Sequence, residues 1–382
     1  MSLSATALLD GARAATGLDG FGDPGFREGL DVLLRALAEE AELNAIGWMA
    51  HQAQLTGYLC ERLRIEDWYR RHPEIDDQKI GGPIFVTGLP RTGTTALSHL
   101  LAADPDTRSL QMWESNSPTP PPERATYATD PRIAEADARN TAFRDDPDFL
   151  RMYDGTATSP TENIDLLGQH FATQHFEGMA HVPGYIRWWL GCDMVPAYRH
   201  HERVLKLLQW RCPATRWFLK SPPDLACLDA FVAVYPNARI VWTHRDPATV
   251  LASVCKLIWI VRRMQTDHVD LHELGREQLA LWSQSVQRAL AFRRRVGEAC
   301  FADVFMKDLV ARPIETVAAL YDRIALPFTA AAESAMRAWS AEHPQHKHGA
   351  LPYTLEEFGL RADQVHEAFH DYAQHFDLRL ER

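Results

Sequence analysis

Pro83-Ile84-Phe85-Val86-Thr87-Gly88-Leu89-Pro90-Arg91-Thr92-Gly93-Thr94-Thr95 is the stretch on which the fold turns. An apolar strand runs into a loop over residues 88–95, and a helical pattern follows. Such a loop wraps backbone N–H groups around an anion at a helix N-terminus. It almost spells the phosphate cradle G-x-x-x-x-G-K-[ST]. The departure is Thr94, which stands where the cradle's lysine holds β- and γ-phosphates. A cation appears earlier instead, at Arg91. The loop suits an anion and is poorly equipped for a Mg-bound triphosphate, so a nucleotide kinase or other P-loop NTPase is the weaker alternative.

Working outward, strand patterns recur at 216–220, 239–243 and 302–306. Helical periodicity separates them at 94–103, 200–210, 224–235, 247–261 and 275–299. Strands alternating with helices predict an α/β fold, a P-loop NTPase-like parallel sheet flanked by helices. Leu30, Leu33, Leu34 and Leu37 recur at i, i+3, i+4 and i+7, and Leu55, Tyr58, Leu59 and Leu63 continue similarly. They predict an N-terminal helical extension over residues 1–80, without recognisable chemistry, ahead of a main domain over 81–382.

Ligands of an open parallel sheet bind beyond the carboxyl ends of its strands. Three motifs fall there: the 88–95 loop, Lys220-Ser221-Pro222 and His244-Arg245-Asp246-Pro247. Each alone reads equally well as a turn or a solvated charge. All three on one edge are harder to dismiss. Asp246 is a predicted helix N-cap with Pro247 in the first turn. Ser253 lies two helical turns after Asp246, on nearly the same face. Arg245 and Ser253 therefore reach one anion together, a guanidinium fork beside a hydroxyl.

Composition narrows the partners. The chain has 382 residues, 46% of them hydrophobic, with 40 Lys+Arg against 51 Asp+Glu and a net charge of −11. That balance excludes a general nucleic-acid binder, so any basic site is local. The six cysteines, Cys60, Cys192, Cys212, Cys227, Cys255 and Cys300, form no C-x-x-C pair and no zinc-like cluster. They read as free thiols of a reducing cytosol. No secretory leader is expected, and no apolar run is long enough to span a membrane. The expected location is the cytoplasm.

On these residues the chain resembles the sulfotransferases that use 3′-phosphoadenosine 5′-phosphosulfate (PAPS), in particular a bacterial branch. The 88–95 loop resembles the family's 5′-phosphosulfate loop, and Arg245 with Ser253 its 3′-phosphate motif. Residues 302–309, with Pro313 and Tyr321, resemble the late strand and helix of that fold, and 346–360 a C-terminal segment of the bacterial branch. The resemblance covers about residues 81 to 380. It implies that Arg91, Thr92, Gly93, Thr94 and Thr95 hold the 5′-phosphosulfate, that Arg245, Ser253 and Lys347 hold the 3′-phosphate, and that Lys220 steadies the oxygen between phosphorus and sulfur. It implies PAPS as co-substrate, its 3′,5′-bisphosphate (PAP) as product, and no metal.

Sulfuryl transfer needs a base for the acceptor's proton. The family's animal branch has K-T-H at the second strand end, and many bacterial members look like K-S-P-x-H. Here Pro222 and Asp224 occupy the two histidine positions. The base comes from Glu162, which resembles an acidic acceptor-site motif in Ser159-Pro160-Thr161-Glu162-Asn163, or from His170, His175 or Asp224. Asp224 also reads as the N-cap of the next helix. The lost histidine keeps open an inactive PAP-binding protein on the same fold. Residues 111–200 are the expected acceptor region. Its aromatics, Phe171, Phe176, Tyr185, Trp188 and Trp189 with Trp113, suit either a pocket for a small apolar or aromatic acceptor or core packing. That acceptor is the expected partner, its hydroxyl or amine taking the sulfuryl group, with a homodimer left open.

Overall fold

The computed structural model describes residues 3–139, 141, 145–153, 155–343 and 351–380. Five parallel strands, β1 (Ile84–Gly88), β2 (Thr107–Ser109), β3 (Arg216–Lys220), β4 (Arg239–His244) and β5 (Phe301–Phe305), lie in the order β2-β3-β1-β4-β5. β1 is central. Val86 pairs with Lys220 on one side and Gly88 with Thr243 on the other. The chain leaves β1 toward β3 and β2, then returns to place β4 on the opposite side. The switch point, where ligands of such sheets sit, is therefore the crevice between β1 and β4.

Every residue of β1 is buried, as expected for a parallel strand covered on both faces. The period-2 alternation divides its side chains between two cores. Phe85, Leu219, Ile240 and Trp242 face one; Ile84, Val86, Phe218 and Val241 face the other. The second core is closed by helices Thr94–Ala103, Pro313–Arg323 and Ala330–Glu342. The first is continuous with the N-terminal helices Ala5–Thr16, Phe26–Glu39 and Ala45–Arg71, so those helices share the main core.

The strands predicted at 83–88, 216–220 and 239–243 are present, and the last runs one residue longer, to His244. The one predicted at 302–306 begins and ends a residue earlier, because Met306 opens a helix. The helical pattern at 224–235 is two elements, a 3-10 turn Pro223–Cys227 and a helix Leu228–Val234. β2 was not predicted: three residues at the sheet edge carry no period to read. No helix among the described residues is long and apolar enough to cross a membrane.

Candidate functional site

Three backbone positions shape the anion loop. Gly88 has φ +142°, and a Cβ there would lie 2.6 Å from the Thr243 carbonyl oxygen, so only glycine lets β1 pass so close to β4. Arg91 is left-handed at φ +64° although it is not glycine. Gly93, at φ +90°, caps the helix Thr94–Ala103. Successive N–H groups on such a path converge on a concave face that accepts an anion. Thr92 is fully buried. Its hydroxyl donates to the Leu89 carbonyl at 2.6 Å and shares a hydrogen bond with the Thr243 hydroxyl at 2.6 Å. That side chain holds the loop's shape. Thr94 is buried, whereas Thr95 is open to solvent in the first turn.

The two predicted anion motifs meet. Arg91 Nε donates to Ser253 Oγ at 3.2 Å, and Arg91 Nη1 donates to the Met152 carbonyl at 3.0 Å. Arg245 Nη1 donates to the Arg91 carbonyl at 3.2 Å. Ser253 sits within helix Pro247–Arg262, whose cap is as predicted: the Asp246 carboxylate accepts from the Ala248 N–H, and Pro247 starts the helix. His244 is buried and tied to Tyr372 and Asp303, which fixes the strand end that carries Arg245. Burial draws the Arg91 guanidinium below its ordinary value, Tyr353 opposes this, and Arg245 adds to it. Two cations and a hydroxyl thus gather in the β1–β4 crevice. Lys347 lies outside the described residues.

At the next strand end, Lys220 is almost wholly buried and its Nζ donates to Glu162 Oε1 at 2.8 Å. A lone β-bridge also joins Glu162 to Lys220. A buried ammonium requires such a partner. Asn163 turns the other way and donates to Asp224 Oδ2 at 3.0 Å. Asp224 lies inside the 3-10 turn rather than at an N-cap, because Pro222 occupies the cap position. Burial raises its carboxyl to about 6. The Asn163 amide and the nearby Ser221 and Tyr198 hydroxyls favour the ionised form, although neither hydroxyl makes a well-formed hydrogen bond.

The two candidate histidines separate. They belong to different elements, because Phe171, at φ +55°, breaks the chain after helix Ile164–Gly168, and His175 starts the helix His175–Met179. His170 is not brought to Lys220. It is buried near Arg62 and Asp23, and burial, then Arg62, lowers it to about 4. His175 stays in the neighbourhood. Its Nε2 meets Gln54 Nε2 at 2.9 Å, burial lowers it, and Asp165 and Glu162 act in the opposite sense. Asp165 accepts from Tyr58 Oη at 2.7 Å and from Ser115 Oγ at 3.2 Å. His51 is buried beside His175, with neither ring nitrogen hydrogen-bonded.

Sequence reading missed Asp165, and it missed Gln54, Tyr58 and His51 on the helix Ala45–Arg71. The available signal was a run of polar residues at helical spacing, His51, Gln54, Tyr58 and Arg62, beside the leucines whose periodicity marks the helix as core. The aromatics expected as either pocket or core are core for the most part: Phe171, Phe176, Tyr185 and Trp113 have no exposed surface. Phe171 packs with Phe26 and Tyr58 of the N-terminal helices, and Phe176 with Tyr58 and Tyr185.

A parallel sheet with a left-handed glycine loop after its central strand, lacking the triphosphate lysine and carrying a lysine–carboxylate pair at the neighbouring strand end, defines a P-loop-like group-transfer fold. The sequence profile described as "Sulfotransferase family" matches residues 83–330. The chain belongs to that family, in its bacterial branch. It is similar to the sulfotransferase STF1 from Mycobacterium tuberculosis, with 34% identity, 97% of this chain and 99% of that chain covered, and a TM-score of 0.85. It is similar also to the sulfotransferase STF9 from Mycobacterium avium, with 30% identity, 99% and 98% covered, and a TM-score of 0.88. Both likenesses include the N-terminal helices. No curated protein matches the sequence.

Proposed function

We propose that this chain moves a sulfuryl group from PAPS to a hydroxyl or amine of a small acceptor, in the cytoplasm and without a metal. The observation that carries the reading is the bonded cluster of Arg91, Ser253 and Arg245 in the β1–β4 crevice, one strand away from the Lys220–Glu162 pair. The residues suit the donor. The left-handed loop offers backbone N–H groups to one anionic group, and Arg245 with Ser253 supplies a second cationic site beside it. PAPS brings a sulfuryl group already activated by its anhydride bond, so the protein supplies position and field rather than covalent chemistry.

Lys220 and Glu162 divide the remaining work. In the free protein each neutralises the other. An anionic donor gives Lys220 a second negative partner and loosens its hold on Glu162. Glu162, a quarter exposed, is then the carboxylate open to the acceptor's proton. The His175–Gln54 and Tyr58–Asp165 pairs surround this point with polar groups. They favour an acceptor that presents hydrogen-bonding groups, whereas the buried aromatics lend no support to an apolar one.

The test is direct. PAP without Mg²⁺ should raise the unfolding temperature, and ATP with Mg²⁺ should not. A panel of alcohols, phenols and amines with PAPS, read by mass, should yield a sulfated product. Stabilisation by ATP–Mg²⁺ but not by PAP would overturn the reading. Binding of PAP with no transfer to any acceptor would favour an inactive member of the family.

A further inference from the structure

We propose that the cavity behind the turn after β3 binds an amphipathic monoanion, an apolar body bearing one carboxylate or sulfate. The site goes beyond the transfer reaction and does not depend on it. The cavity is about 470 Å³, within the roughly 300–1,000 Å³ of small-molecule sites. Its walls come from the 3-10 turn Pro223–Cys227, the segment 189–195 and the last turns of helix Leu271–Val296. Trp189, Met194, Leu225 and Phe292 give it an apolar floor.

Two donors among the lining residues have no acceptor. Trp189 is 2% exposed and its indole N–H has no hydrogen-bond partner. A buried donor left unmade costs about 1–3 kcal/mol, so this wall of the cavity has a hydrogen bond to gain from an acceptor brought beside it. Arg288 lines the same cavity, half-buried, and has no hydrogen-bond or ion-pair partner among the described residues. Cys192 and Cys227 line the cavity with it; burial is the main influence on both thiols, and the Arg288 charge acts weakly in the opposite sense.

The carboxylates of the lining do not answer it. Asp193 and Asp229 are exposed at the rim, and each already accepts a backbone N–H, from Val195 at 2.9 Å and from Ala230 at 2.9 Å. Arg295 adds a second cation two helical turns beyond Arg288 on the same face. An apolar floor, an orphaned N–H and an unpaired guanidinium together select a ligand with a hydrophobic body and an anionic head. A neutral alcohol would answer the floor and the indole but leave Arg288 unpaired.

Calorimetric titration of the full chain with decanoate, decyl sulfate and decanol tests this, since the two anions separate a carboxylate source from a sulfate source. At least one anion should bind one-to-one and at least tenfold more tightly than decanol. Arg288→Glu should remove that preference, and Arg288→Lys should restore most of it. Trp189→Phe should weaken binding several-fold; because it alters the core, the half-exposed Arg288 variants carry the test if it unfolds. Arg245→Ala should leave anion affinity unchanged. Decanol binding as tightly as both anions, Arg288→Glu without effect, or loss of binding in Arg245→Ala would each overturn the proposal, the last by moving the ligand to the sheet edge.

Discussion

Replacing Asp224 by asparagine separates general base, one of its two roles in the sequence reading, from the buried acid found in the structure. The wild-type carboxyl moves from an ordinary 3.8 to about 6 on folding, with burial the main cause. The folded state therefore binds its proton more tightly than the unfolded chain. Stability is full below about pH 4, where both states are protonated, and falls as pH rises toward about 6, where the folded group also ionises. At 1.36 kcal/mol per pH unit, that gap of roughly two units amounts to about 3 kcal/mol at neutral pH, an upper figure because the group's surroundings relax. Asparagine keeps a carbonyl for the Asn163 amide and never ionises. Urea unfolding of both proteins across pH 4 to 7 should therefore show the variant gaining on wild type by up to about 3 kcal/mol, nearly all of it below about pH 6. Turnover should stay within about tenfold of wild type, against the ~10²–10⁴ expected from loss of a base. A stability difference that does not change with pH would refute the assignment of a buried, protonated acid. A turnover loss of that larger size in a well-folded variant would make Asp224 the base.

Three further outcomes follow from the site. Glu162→Gln should lower turnover by about 10²–10⁴ with PAP affinity close to wild type; unchanged turnover in a steady-state assay would shift the base to His175. Arg245→Ala should weaken PAP and PAPS binding more than adenosine 5′-phosphosulfate binding, because only the first two carry a 3′-phosphate, and an equal loss in calorimetry for all three would remove Arg245 from that role. Gly93→Ala should cost about 1–2 kcal/mol for the left-handed backbone. Its Cβ also lands 3.3 Å from Leu309 Cδ2, so thermal unfolding unchanged from wild type would contradict the loop geometry.

The parts of this site that a sequence reader can see are those fixed by local chemistry. A strand running into a glycine loop identifies β1 and the loop after it, because backbone path and side-chain type are set within a dozen residues. The Asp246 cap and the Ser253 position follow from helix geometry for the same reason. Lys220 is visible as a strand end. What stays hidden is set by tertiary proximity. The Arg91–Ser253 contact spans 162 positions, and no spacing rule predicts that the two anion motifs would be bonded to each other. Asp224 reads as an N-cap because aspartate after proline usually is one; here Pro222 takes the cap and the carboxyl turns inward. His170 and His175 read as one helix until a left-handed Phe171 divides them.

The N-terminal helices make the same point more sharply. Leucine periodicity marks them as packing elements, and they do pack: their leucines share the core beneath one face of the sheet. Yet the helix Ala45–Arg71 also brings Gln54 to His175 and Tyr58 to Asp165. A helix in a continuous core is held rigidly, and polar groups on such an element keep a defined position without paying for it locally. Both mycobacterial sulfotransferases match across almost the whole chain, these helices included. The physical consequence is that these helices cannot be removed without exposing the face that seats Phe171 and Phe176, and with it the His175–Gln54 contact. The extension is part of the main core, although nothing in its own sequence carries a recognisable motif.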